Sequence, residues 1–158
     1  MAFRKPVLFY SCAAGVVIVD QLTKVIVRGV LADGRPVTVV PHVLDLRLHL
    51  NPGASFGIGS GWAPLFAIIA VVAAIAIVKL RSAGPDSRTL SIGLGLLLGG
   101  ALGNLIDRLT SSDHAVTDFL DMHIWPVFNL ADAAIVVGAL MTFFYVYVVQ
   151  KRGEGVGH

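Results

Sequence analysis

The stretch WAPLFAIIAVVAAIAIV, from Trp62 to Val78, runs without a single charged side chain. A helix that crosses the hydrocarbon of a bilayer needs roughly 17 to 25 predominantly apolar residues, and this run meets the requirement. A helix buried in a soluble core would show an apolar stripe and a wet face, and this stretch has no wet face to offer. Two more charge-free runs extend from Leu90 to Ile106 and from Ala133 to Val149, and a first run from Val7 to about Val27 is clean until Asp20. These runs predict an all-α integral membrane protein with four transmembrane helices, at about 7–27, 62–80, 90–108 and 131–149.

Composition points the same way. Of 158 residues, 56% are hydrophobic and 14% charged, whereas soluble domains carry about 25% charge. With no internal repeat or low-complexity segment, the chain 1–158 reads as a single membrane-embedded domain. Four crossings place both termini on one side. The ends there carry Arg4, Lys5, Lys79, Arg81, Arg88, Lys151 and Arg152 against only Asp86 and Glu154. The positive-inside rule makes that side cytoplasmic. The other eight acids, Asp20, Asp33, Asp45, Asp107, Asp113, Asp118, Asp121 and Asp132, fall at the opposite boundary. A net charge of +2 spread over three juxtamembrane ends forms no dense basic patch, so no nucleic-acid partner is expected. The one cysteine, Cys12, excludes an intramolecular disulfide and reads as a small packing residue in the first span. The apolar lead before Cys12 is too short for a signal peptide, so the start of the chain is expected to act as a retained signal anchor.

Between the first two spans, Leu44-Asp45-Leu46-Arg47-Leu48-His49-Leu50 alternates apolar and polar residues, the period of a half-buried strand. Turn residues bracket it: Asp33-Gly34 and Pro36 before, Asn51-Pro52-Gly53 after. A small extracytoplasmic β-sheet element is therefore expected between helices 1 and 2, with the strand region at about 36–50. In the third span Gly95, Gly99 and Gly103 recur every four residues. They leave one helix face bare for close approach of a neighbour.

Ionisable groups at a membrane boundary are costly, by about 2.5 to 3.5 kcal/mol at a span centre and less near its edge, so each calls for a reason. Asp20 and Lys24 stand four residues apart and can form a local pair. Asn104 and Arg108 have the same spacing and present an amide and a guanidinium at the end of the third span, beside Asp107. Asp132, at the lip of the fourth helix, would alone be read as an N-terminal cap. The argument for chemistry is convergence: Asp118, Asp132, Asn104, Arg108, Asn51 and Asn129 all map to one boundary of one small bundle. Two neighbouring carboxylates share a proton because both cannot ionise cheaply, which supplies an acid and a base together. There is no Gly-x-Ser-x-Gly elbow and no His-Glu-x-x-His helix. His114, Asp118, Asp121 and His123 have metal-ligand chemistry, but their spacing matches no strong metal motif. No metal or cofactor is expected.

These residues resemble the bacterial lipoprotein signal peptidase (signal peptidase II) family over nearly the whole chain. The motifs are Val19-Asp20-Gln21-Leu22-Thr23-Lys24, Asn51-Pro52-Gly53-Ala54-Ser55-Phe56-Gly57, Gly99-Gly100-Ala101-Leu102-Gly103-Asn104-Leu105-Ile106-Asp107-Arg108, Val116-Thr117-Asp118-Phe119 and Phe128-Asn129-Leu130-Ala131-Asp132. The resemblance implies an intramembrane aspartyl endopeptidase that cleaves a prolipoprotein just before its S-diacylglyceryl cysteine, with Asp118 and Asp132 as the catalytic pair. It implies that Asn51, Gly53, Asn104, Arg108 and Asn129 position substrate backbone and lipid, and that Asp20, Lys24 and Asp107 support the site. It also implies location in the bacterial cytoplasmic membrane, with the site near the extracytoplasmic face, membrane lipid as surroundings and a monomeric enzyme. The chain departs from one common form of the last motif in having Ala133 where Ser follows the catalytic Asp. Two other classes remain in view. A transporter is opposed by the lack of an inverted repeat and of charge at mid-bilayer, and a non-catalytic assembly protein leaves the acids unexplained.

Overall fold

The computed structural model of the chain describes residues 4–53 and 63–154. The elements run α1 (Arg4–Val30), β1 (Val37–Val40), β2 (Leu44–Asn51), α2 (Ala63–Ala83), α3 (Arg88–Thr110), β3 (Val116–Asp121) and α4 (Leu130–Glu154). All four helices contain segments long and apolar enough to cross a membrane. The expected start of the second span at Trp62 and the Ala54-Ser55-Phe56-Gly57 part of the second motif lie outside the described residues.

Helix α3 is the hub, packing against α1, α2 and α4. Within its apolar window 56% of residues are buried, against 6% to 17% for the other three. Those three turn Ile18, Leu22, Ile68, Val72, Phe143 and Phe144 outward, as a helix surrounded by hydrocarbon must. The glycine spacing of α3 is what lets α1 lie so close. A Cβ on Gly99 would fall 2.6 Å from Cβ of Val16, and one on Gly103 would fall 2.7 Å from Oδ2 of Asp20. Gly100, on the adjoining face, meets the Ala131 carbonyl of α4 in the same way. Phe9, Ala13, Leu90, Leu94 and Leu98 form the core beneath this contact. Ser87 starts α3 by accepting the Leu90 N–H on its hydroxyl, the ordinary N-cap solution for an orphan helix donor.

The strands form one antiparallel sheet in the order β1-β2-β3. The expected strand between the first two helices is present as β2, and Leu46 and Leu48 pack it against Val27, Leu31 and Phe119. The structure adds β3, which comes from the α3–α4 connection and pairs with β2 so that His49 faces Asp118. Five of the six β3 residues are buried. A strand covered on both faces shows no polar–apolar alternation, which is why its sequence did not announce it. Helix α1 also runs beyond the expected end at Val27, which brings Arg28 onto the face already holding Asp20 and Lys24.

Candidate active site

Five pieces of chain meet at the sheet end of the bundle. The last turns of α1 bring Asp20, Gln21, Lys24 and Arg28, and the last turns of α3 bring Asn104, Asp107 and Arg108. The end of β2 brings Asn51 with Gly53 after it, β3 brings Asp118, and the start of α4 brings Asn129 and Asp132.

The deepest layer is ionic. Lys24 Nζ lies 2.8 Å from Asp20 Oδ2 and 3.1 Å from Asp107 Oδ2, with all three side chains fully buried. The expected local pair of Asp20 and Lys24 therefore exists but is only half of the arrangement. Arg28, partly exposed, adds a second cation at 3.3 Å from Asp107 Oδ1 and donates to the Thr117 hydroxyl. Two carboxylates are thus balanced by two cations. The remaining oxygens also have donors: Asp20 Oδ1 accepts the Ala131 N–H, Asp107 Oδ2 accepts the Thr117 N–H, and Gln21 reaches both acids. Such closure is what makes a buried charge tolerable, since an ion without partners costs several kcal/mol. It also ties α1, α3, β3 and α4 together.

Above this layer lie Asp118 and Asp132, held by amides. Asn51 donates to Asp118 Oδ2 at 3.0 Å and Asn129 donates to Asp118 Oδ1 at 2.7 Å. Asp132 Oδ1 accepts from the Asn104 amide at 2.7 Å, and its Oδ2 accepts the Asn129 backbone N–H at 3.2 Å. Asn129 Oδ1 in return accepts the Asp132 N–H at 3.0 Å. The cap of α4 is therefore Asn129, and Asp132 is the partner three residues on in a reciprocal capping box, which corrects the reading of Asp132 as the cap itself. Both oxygens of Asp132 find donors without a hydroxyl at position 133. Burial pushes the Asp118 carboxyl up to about 6, with the Asn51 hydrogen bond opposing the shift and the Asp132 charge adding to it.

Asn104 joins the two layers. Its Oδ1 accepts from Lys24 Nζ at 3.0 Å and from the Asn129 amide at 3.0 Å, which orients its own amide toward Asp132. Arg108 stacks over the Phe66 ring at 5.7 Å and donates to the Asn104 and Gly53 carbonyls, leaving its buried Nε without a partner. Gly53 in turn donates its N–H to Asn51 Oδ1. All ten residues singled out from the sequence therefore lie in one connected network. Three further members, Gln21, Arg28 and Thr117, were not anticipated. The spacing of Asp20, Lys24 and Arg28 at i, i+4 and i+8 was the available signal for Arg28. His114 Nδ1 meets the Arg108 carbonyl, while His123 sits beside Asp45 and Asp121. Among the described residues no three His, Cys, Asp or Glu side chains gather as a metal-ligand set.

Chemically, the upper layer presents two carboxylates whose supports are neutral. Amide and backbone N–H donors hold the carboxylate oxygens in place, and at Asp118 the Asp132 and Lys24 charges act in opposite senses.

Comparison with known proteins gives concordant results. The sequence profile of the family described as "Signal peptidase (SPase) II" matches residues 12–148. The lipoprotein signal peptidase of Anoxybacillus flavithermus is 36% identical, covering 99% of this chain and 95% of its own. That of Pelotomaculum thermopropionicum is 45% identical over 81% of this chain and 84% of its own. A solved structure described as a bacterial membrane enzyme superposes with a TM-score of 0.79 at 32% identity, covering 95% of this chain and 92% of the other.

Proposed function

Because the chain belongs to the lipoprotein signal peptidase (signal peptidase II) family, whose members are aspartic peptidases, we propose that Asp118 and Asp132 are the pair with which it hydrolyses the peptide bond of a prolipoprotein. It is a multi-pass membrane protein with four candidate spans, and it is a lipoprotein signal peptidase. The bond cleaved is the one just before the S-diacylglyceryl cysteine.

The observation that carries the assignment is Asn129, which donates its side-chain amide to Asp118 and its backbone N–H to Asp132. One residue thereby holds the two carboxylates in register. In the reacting state the ionised member of the pair takes a proton from water as the water attacks the scissile carbonyl. The protonated member gives its proton to the carbonyl oxygen, forming a gem-diol. As the C–N bond breaks, the first carboxyl passes the proton it took from water to the leaving amine, and the second recovers one from a gem-diol hydroxyl. Asn51, Asn104 and Asn129 keep the carboxylates aimed. Arg108 and Gly53 border the pair where substrate backbone or the glyceryl headgroup arrives, and the buried Nε of Arg108 is a donor awaiting such an acceptor. Asp20, Lys24 and Asp107 act beneath them as positioning residues.

The concentration of basic residues at the far end of the bundle supports a topology with both termini cytoplasmic and the pair near the extracytoplasmic face of the bacterial cytoplasmic membrane. One chain supplies every residue of the network, which supports a monomeric enzyme acting as a single membrane-embedded unit. The test is cleavage of a diacylglyceryl-modified prolipoprotein by purified protein in lipid, comparing wild type with Asp118→Asn and Asp132→Asn and with a chelator control. Loss of product in each folded variant, with no chelator effect, is expected; wild-type rates in either would remove that residue from the pair.

A further inference from the structure

At the opposite end of the bundle, one cation is buried in a way the peptidase chemistry does not use. Arg81, in the last turn of α2, is 6% exposed, and its Nη1 donates to the Pro85 carbonyl across the α2–α3 turn at 3.1 Å. Its Nε and Nη2 are buried without any acceptor, and no carboxylate forms a salt bridge with it among the described residues. The contrast with Lys24, which has two carboxylates and an amide oxygen, is complete. A guanidinium is a planar fork suited to two oxygens of one carboxylate or phosphate, and here that fork is half unused.

Arg81 lines a cavity of about 240 Å³ together with Phe9, Tyr10, Val78 and Ser82. Tyr10 and Val78 also line a second hollow of about 830 Å³ between α1, α2 and α3, which continues through Ala14, Val17, Ile75 and Leu102. The two hollows share a wall, one with a cation at the bundle end and one apolar and running toward the bundle middle. The groove exists because α1 and α2 both pack on α3 and hardly on each other.

We propose that this composite site takes one anionic glycerophospholipid, its phosphodiester against Arg81 and an acyl chain in the groove between α1 and α2. The small cavity matches a headgroup phosphate, and the groove matches a chain that a soluble anion does not possess. Lys79, in the lining of the groove, adds a second positive charge at this end of the bundle. The lipid bridges α1 to α2, two helices that otherwise meet mainly through α3.

The experiment is native mass spectrometry of the full chain released from mixed micelles holding equal amounts of an anionic and a zwitterionic phospholipid of the same acyl chains. Wild type is expected to retain one anionic lipid in preference to the zwitterionic one. Arg81→Gln should lower that retention about tenfold, the loss of roughly one charge-assisted pair. Ala14→Phe, which fills the groove without touching the cation, should lower retention of both lipids. It keeps the test open if Arg81→Gln does not fold, and the melting temperature of each variant reports folding. Inorganic phosphate at millimolar concentration should displace nothing. Equal retention of the two lipids, wild-type retention in folded Arg81→Gln, or displacement by phosphate alone would each overturn the proposal. Displacement by a diacylglyceryl-modified substrate peptide would assign the groove to the substrate instead.

Discussion

Two pairs of aspartates lie within one hydrogen-bond network, and they are treated differently. Asp20 and Asp107 face two cations, Lys24 and Arg28, at salt-bridge distance. Asp118 and Asp132 face amides and backbone N–H groups. Charge compensation ties the first pair into the scaffold that joins α1, α3, β3 and α4. Neutral donors fix the positions of the second pair, the one to which the proposed function assigns proton exchange. On the proposed function, the same side chain is structural or reactive according to the charge of its donors, and burial alone does not distinguish the two.

The strongest way to break this contrast is to swap roles. Asp118→Asn or Asp132→Asn should reduce cleavage by about 10²- to 10⁴-fold, the scale of lost acid–base catalysis, with the fold retained. Removing the cation from the other pair by Lys24→Met should instead cost about 3 to 5 kcal/mol of stability, because Asp20 and Asp107 are then left underpaired in the interior; denaturation in detergent measures this. A Lys24→Met protein of unchanged stability would dissolve the distinction.

A subtler consequence concerns pH. The folded protein holds the Asp118 proton more tightly than an ordinary carboxyl does, near 6 against 3.8. Stability linked to this group is therefore full below about pH 4 and declines as the pH rises through 6. Asp118→Asn escapes that decline. At pH 7 to 8 it should melt above wild type, by up to about 3 kcal/mol in stability, and the advantage should vanish as the pH approaches 4. An inactive variant more stable than its parent is the signature of a carboxylate kept for chemistry. The smallest expected effect is that of Asn129→Ala, which loses the shared donor and the α4 cap. Cleavage should drop roughly tenfold to a hundredfold from misplaced carboxylates, with about 1 kcal/mol lost in melting from the cap.

Much of the site was legible because polar groups are rare in this chain and each one at the boundary stood out against an apolar background. Asn104 and Arg108 could be placed on one helix face from spacing alone, and Gly99 and Gly103 marked where α1 would press in. What escaped had a physical reason. Residues Val116–Asp121 are buried on both sides, so β3 carried no alternating signature. Arg28 lies just past the apolar run, where a basic residue ordinarily reads as an interface anchor. A carboxylate at a helix start is favourable and by itself suggests Asp132 as the cap, and the tertiary contact with Asn104 is needed to see why Asn129 has that place. Arg81 looked like one more positive residue at the terminal end, and its burial is invisible to composition.

The number of spans, their lengths and the crowding of acids at one boundary follow from the sequence alone, because hydropathy and charge are local properties summed along a chain. Which acid faces a cation and which faces a neutral amide depends on partners far away in sequence. Asp107 meets Lys24 across two helices, Asp118 meets Asn51 across a sheet, and Ala131 offers its N–H to Asp20. Those distances are set by how closely α3 lets its neighbours approach and by the pairing of β2 with β3, so only the tertiary structure could separate Asp20 and Asp107, which face cations, from Asp118 and Asp132, which face neutral donors.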